Sequence, residues 1–203
     1  MPHADSVNTN RVRGAPMDAQ RFILEAGRCC LLVVDIQERL YNAMDFNVRK
    51  SVVRNTNTLI EVAKAFALPI VLTEQYRKGL GPTIPEIMNN LPGVEALDKL
   101  TFDCLGEGAI AARFDEIGRD TVIIAGIETH ICVLSTAFSL LAGGRRVAVA
   151  SDAVCSRREY EREMAIEALW RAGAVVYPTE SIAFMLMRKS GTEEFKTLSP
   201  LFK

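Results

Sequence analysis

Residues 121–136 read TVIIAGIETHICVLST, and their pattern decides how the rest of the chain is understood. A short apolar, β-branched run is bounded by Gly126, and a polar elbow of Glu128, Thr129 and His130 leads into an apolar-periodic segment with Ala137 and Leu141. That is the pattern of strand, turn and helix. Thr129 stands where an N-cap would close the helix, so Cys132 falls in or near the first turn, among free N–H groups at the positive end of the helix dipole. A thiol there tends to ionise more easily. A small apolar cysteine packed on a helix face fits the same pattern, because free cysteine is among the most buried residue types.

The flanking sequence repeats the strand–helix theme. Cys29 to Val34 is a near-continuous apolar run ending in Asp35, as expected of a strand buried on both faces in a parallel sheet. Helical spacing from Val48 to Phe66 stops at Leu68-Pro69, and Ile70 to Leu72 is the next strand, completing one βαβ unit. Residues 73–87, TEQYRKGLGPTIPEI, are polar and rich in Gly and Pro and read as a long functional loop before a short helix. Leu97 to Phe102 is a third strand or extended segment carrying Lys99. The order then runs helix (Gly108 to Ile117), strand (Val122 to Ala125), helix (Ile131 to Leu141) and strand (Arg146 to Ala150, ending at Ser151-Asp152). A helix from Glu159 to Arg171, closed by Gly173, precedes a sixth strand at Ala174 to Tyr177 and a polar helical tail. Strands alternating with helices, without a fixed repeat, predict a three-layer α/β/α sandwich around a mostly parallel, doubly wound six-stranded sheet.

With 203 residues, 49% hydrophobic and 24% charged, the chain has the composition of one ordinary globular domain. Residues 1–20 are polar and aperiodic and read as a flexible arm, leaving 21–203 as the domain. The formal net charge of −1 comes from interspersed acids and bases, which sets aside nucleic-acid and membrane-surface binding. No apolar run reaches the roughly 18 residues of a spanning helix, and no signal-peptide pattern opens the chain. The expectation is a soluble cytoplasmic protein, with a mitochondrial location as the lesser alternative. Five cysteines, an odd number without paired-ligand spacing, fit a reducing compartment.

In open α/β sheets, ligands bind beyond the carboxyl ends of the strands. Asp35 ends strand one, Lys99 lies near strand three, and Cys132 follows strand four. A carboxylate able to take the thiol proton and a cation favouring the thiolate would make these three one site. Asp35 as a structural cap and Lys99 as a solvated surface residue are the competing readings.

Five stretches carry a resemblance: LLVVDIQERL around Asp35, VLTEQYRKGLGPT, DKLTFDC around Lys99, GIETHICVLSTAFSLLAGG around Cys132, and VAVASDAVCSR. In content and order they resemble the isochorismatase-like cysteine hydrolases, and VLTEQYRKGLGPT is similar to the loop of the subgroup called isochorismatase domain-containing proteins. The resemblance implies Cys132 as nucleophile, Asp35 as general base and later acid, and Lys99 as the cation holding both. It also implies a cis peptide between Ile127 and Glu128 and an oxyanion hole formed by the backbone N–H groups of Glu128 and Cys132. The implied reaction is hydrolysis of a small amide-like C–N bond through a thioester. Gln37 is expected to point into the same cleft, with Tyr76, Phe102 and His130 as substrate-binding walls. Their competing readings are core for Phe102, a loop anchor for Tyr76 and a backbone-satisfied helix donor for His130.

The chain also departs from some relatives. Members that hydrolyse nicotinamide resemble it at Asp, Lys and Cys but also hold a metal after the second strand through Asp and His. Here the only histidines are His3 and His130, both outside residues 73–91, so neither a metal nor another cofactor is expected. Members that cleave isochorismate commonly lack the cysteine. Asp103 stands where Ser is expected, and the alternatives are a non-catalytic scaffold or regulatory protein retaining the fold, or nicotinamidase or isochorismatase activity proper. Family members are usually homo-oligomers, and Ile182 to Met187 reads either as a docking segment or as a last core helix.

Overall fold

The computed structural model describes residues 19–203. The arm expected over residues 1–20 therefore lies outside the described residues apart from Ala19 and Gln20, which open a 3-10 turn, Ala19–Phe22.

Six strands form one sheet: β1 (Cys29–Val34), β2 (Ile70–Gln75), β3 (Ala96–Lys99), β4 (Thr121–Ile127), β5 (Arg146–Cys155) and β6 (Val175–Tyr177). The helices are α1 (Glu38–Ala43), α2 (Phe46–Ala65), α3 (Arg77–Leu80), α4 (Pro85–Met88), α5 (Gly108–Ile117), α6 (Leu134–Ala142), α7 (Glu159–Arg171), α8 (Thr179–Met187) and α9 (Glu193–Leu198). The strand order is β3-β2-β1-β4-β5-β6, and every pairing is parallel, so the sheet is wound outward in both directions from β1 and β4. A parallel sheet needs apolar cover on both faces, and alternation along β1 supplies it. Leu31 and Val33 join the core beneath α2 and α8, while Cys30, Leu32 and Val34 join the core beneath α5, α6 and α7. All six β1 residues are buried, and each large aliphatic side chain so covered contributes roughly 1.5–3 kcal/mol.

α2 starts where Asp45 accepts the backbone N–H groups of Asn47 (2.9 Å) and Val48 (3.2 Å), a side-chain cap for otherwise orphaned donors. It ends before Ala67, whose φ of 50° turns the chain into Leu68-Pro69. Gly126 lets β4 lie against β1 near their carboxyl ends. Its φ is 127°, and a Cβ there would come within 2.1 Å of the Val34 carbonyl oxygen, so no side chain fits.

Several expectations change. Residues 73–75 continue β2, and α3 and α4 occupy much of the remainder of 73–87, so this stretch is not one long loop. β5 runs five residues beyond Ala150, with an irregularity between Ile124 and Gly126 on its partner. The third strand ends at Lys99. Thr129 is not an N-cap: Glu128 holds that position, without a side-chain cap bond, and Thr129–Val133 is a π-turn leading into α6. Ile182 to Met187 lies in α8, with Ile182, Ala183, Leu186 and Met187 buried in this chain's own core. That segment is a core helix.

Candidate active site

Strand register brings the functional side chains together. Val34 pairs with Thr73 on one side and Gly126 on the other, and Gln75 pairs with Lys99. Asp35, Thr73, Gln75, Lys99 and the elbow after β4 therefore share the carboxyl edge of the sheet, where β1 and β4 diverge into different crossovers.

Asp35 has a φ of 50°, turning the chain out of β1. Its Oδ1 accepts the Thr73 hydroxyl at 2.8 Å, and its Oδ2 lies 2.8 Å from Lys99 Nζ. Both side chains are 0% exposed. The Lys99 ammonium also donates to Gln75 Oε1 at 2.6 Å and lies 3.3 Å from the carbonyl oxygens of Thr101 and Phe102. Burial opposes the charge on Lys99, but the Asp35 carboxylate, joined by the Cys104 and Cys132 sulfurs once they ionise, outweighs it, holding Lys99 above the ordinary lysine value. A buried cation surrounded by acceptors is a fixed charge.

Cys132 sits in the π-turn, 5% exposed, within the core beneath α5–α7. Burial pushes its thiol up to about 12; the Asp35 charge and hydrogen bond act in the same direction, and Lys99 opposes them. The expectation of a readily ionised thiol is therefore corrected. Desolvation and a neighbouring carboxylate overcome the helix-end effect, so the resting group is a protonated thiol beside a base.

The peptide joining Ile127 to Glu128 is cis. The Glu128 side chain is buried, and its Oε2 accepts the Arg157 backbone N–H at 2.9 Å and lies 3.1 Å from Arg157 Nε. His130 turns toward α7: Nδ1 is 2.9 Å from Ser156 Oγ and Nε2 is 3.3 Å from Glu161 Oε2. Its partners are side chains, contrary to the backbone-satisfied reading.

Gln37 does not line the cleft. It is fully buried, and its Oε1 accepts the Gln75 N–H at 2.7 Å while its Nε2 donates to the carbonyls of Gln75 (3.0 Å) and Gly81 (2.6 Å). Phe102 is 60% exposed and is not a core residue. Tyr76, 54% exposed with φ of 39°, lays its ring on Gly79, where a Cβ would meet Tyr76 Cε1 at 2.1 Å. Tyr76, Lys99 and Leu100 also border a cavity of about 350 Å³ with Arg77, Lys78, Asp98 and Glu107. Asp103 accepts the Leu105 N–H at 2.9 Å and the Ser139 hydroxyl at 2.6 Å, which spends its carboxylate on a turn and on α6.

Thr73, Gln75 and Cys104 escaped sequence reasoning. Cys104 is buried, with its thiol 3.9 Å from Thr73 Oγ1 and its N–H donating to Thr136 Oγ1 at 2.9 Å. The strand-end rule that found Asp35 would also have found Gln75 had β2 been carried through its polar residues.

The fold is a three-layer α/β/α sandwich around a doubly wound parallel sheet whose carboxyl edge gathers a buried carboxylate, ammonium and thiol. Residues 29–181 match the isochorismatase domain, and the chain belongs to that family. It is 39% identical over 179 residues to the secreted isochorismatase effector Isc1 of Phytophthora sojae, covering 85% of this chain and 83% of that protein. It is 32% identical over 178 residues to isochorismatase domain-containing protein 2 of Bos taurus, covering 87% and 84%. Among solved structures, the YcaC gene product of Escherichia coli, described as an octameric hydrolase of unknown specificity, matches with a TM-score of 0.81 and 25% identity. That match covers 88% of this chain and 90% of the other.

Proposed function

We propose that this family hydrolase cleaves a small amide-like C–N bond through a thioester on Cys132. The observation that carries the reading is the Asp35–Lys99 ion pair, 2.8 Å long and closed to solvent, acting electrostatically on the Cys132 thiol. With that thiol pushed up to about 12, its proton passes to Asp35 as sulfur attacks the carbonyl carbon, rather than beforehand. The backbone N–H groups of Glu128 and Cys132 receive the developing oxyanion. Collapse breaks the C–N bond, and the proton held by Asp35 goes to the departing nitrogen. Asp35 then takes a proton from water as the water oxygen attacks the thioester carbonyl. The C–S bond breaks to release the acid, and Asp35 returns the proton to the departing Cys132 sulfur, restoring the thiol. Lys99 stays charged throughout and offsets the negative charge gathered around it.

Tyr76 and Phe102, both exposed, serve as walls of the entrance in this reading, and His130 holds the elbow on α7. Assembly into a homo-oligomer is part of the same proposal. It is supported by the octameric neighbour and by large apolar side chains such as Leu100 and Phe102 lying open on this protomer.

The test is acyl trapping. Quenching the enzyme during turnover of a panel of small amides should give an acyl mass on the Cys132 peptide, and Cys132→Ser should fold normally with turnover lowered at least about 10³-fold. Substantial turnover by that variant sinks the nucleophile assignment.

A further inference from the structure

Lys99 is held from two sides, and only one holder is charged. The shortest contact of its ammonium is the 2.6 Å hydrogen bond to Gln75 Oε1, against 2.8 Å to Asp35. The orientation of that amide is fixed by its other end, since Gln75 Nε2 donates to the Leu100 carbonyl at 2.8 Å. Turning the amide over would place NH₂ against an ammonium and oxygen against a carbonyl. The backbone of Gln75 is secured as well, because Gln37 takes its N–H and donates to its C=O.

These bonds continue outward. The Gln37 amide also donates to the Gly81 carbonyl, and Glu74 Oε1 accepts the Thr83 N–H at 2.6 Å and the Thr83 hydroxyl at 2.8 Å. The Tyr76 N–H donates to the Lys99 carbonyl at 2.8 Å. Residues 76–83 thus return at both ends to the tip of β2, and Gln75 is the side chain that links this tip to the Lys99 ammonium.

We propose that Gln75 is a positioning residue, whose neutral amide oxygen holds the Lys99 ammonium in place for Asp35 and Cys132 and ties that ammonium to the Tyr76–Thr83 segment. Neutrality matters. A carboxylate at this position would compete with Asp35 for Lys99 and offset the cation that opposes the upward push of burial and Asp35 on the Cys132 thiol. The other charged or titratable groups around the thiol are Asp35 after β1, Lys99 at the end of β3, Cys104 in the turn before α5, and the elbow's own Glu128 and His130. Glu128 is paired with Arg157, and His130 lies between Ser156 and Glu161. The inference rests on the reading of Cys132 as the reacting thiol.

The test follows alkylation of Cys132 by iodoacetamide between pH 6 and 10, with peptide mapping, in the wild type, Gln75→Glu, Gln75→Met and Lys99→Met, and in the Gln75→Met/Lys99→Met pair. Thermal unfolding confirms that each variant is folded. Gln75→Glu preserves shape and should move the rate profile about one pH unit upward, about tenfold slower at a given pH. Gln75→Met removes the acceptor and should slow alkylation several-fold, an effect that disappears when Lys99 is already Met. A folded Gln75→Glu whose profile superimposes on the wild type overturns the proposal, as does a Gln75→Met effect that persists unchanged without Lys99. If Cys132→Ser retains turnover, the hydrolase mechanism falls instead, and the alkylation comparison still decides the role of Gln75 on the same thiol.

Discussion

Lys99 and Asp35 face each other at 2.8 Å with neither side chain exposed to solvent, and they come from opposite sides of β2 in the sheet. A buried pair of this kind costs desolvation on both partners, so its individual charges are stable only together.

Lys99→Met should therefore be destabilising. It leaves the Asp35 carboxylate without its cation and removes the donor from Gln75 Oε1. The expected loss is about 3–5 kcal/mol by denaturant titration, and Asp35→Asn combined with Lys99→Met should recover part of it. A loss below about 1 kcal/mol for the single variant would contradict the enclosed pair.

Asp35→Asn should separate acidity from turnover. The Asp35 charge raises the thiol of Cys132, so the variant's thiol should alkylate faster at pH 8, while hydrolysis falls at least about 10²-fold for want of a base. Slower alkylation in this variant would contradict the electrostatic reading of the site.

Alkaline pH should weaken the fold through several buried groups at once. Cys29 and Cys104 are pushed up to about 11 and Cys30, Cys132 and Cys155 to about 12, each chiefly by burial. Their ordinary value is 9.0, so as pH rises past it the unfolded chain releases protons that the folded chain keeps. Lys99 works in the same sense at higher pH: its folded value is raised, so its contribution is complete below 10.5 and lost as pH passes through the folded value. Stability measured by urea unfolding under reducing conditions should fall above pH ~9, each fully ionised unfolded-state thiol adding about 1.4 kcal/mol per pH unit. A flat profile to pH 10.5 would refute it.

β1, α5 and α7 are legible to the residue because β1 is an unbroken apolar run and a glycine, Gly118 or Gly173, stands just past the end of each helix. β2 and β5 were read short for one physical reason. A periodicity argument stops at the first run of polar residues, yet Thr73, Glu74 and Gln75 are buried in β2 because each finds a partner in Asp35, Thr83 or Lys99. In β5, Asp152 is likewise compensated, accepting the N–H and hydroxyl of Thr179 at 2.8 and 2.7 Å. Such bonds depend on strand register and chain crossings that no local window contains. The positions of Asp35 and Cys132 needed only the rule about strand ends, and Lys99 lay on the third strand without being at its expected end. The true partners of Gln37 and His130, by contrast, lie 38 and 26 or more residues away.

The ion pairs around the thiol have a consequence for what can enter. Asp35 is matched by Lys99 and Glu128 by Arg157. A charged molecule reaching Cys132 would give up its hydration shell without gaining an unspent counter-ion from any of them. For the proposed amide hydrolysis, hydration would thereby act as the filter. An uncharged amide would cross into this interior at the cost of a few hydrogen bonds to water, while its carboxylate counterpart, including the acid that hydrolysis would form, would be better solvated outside.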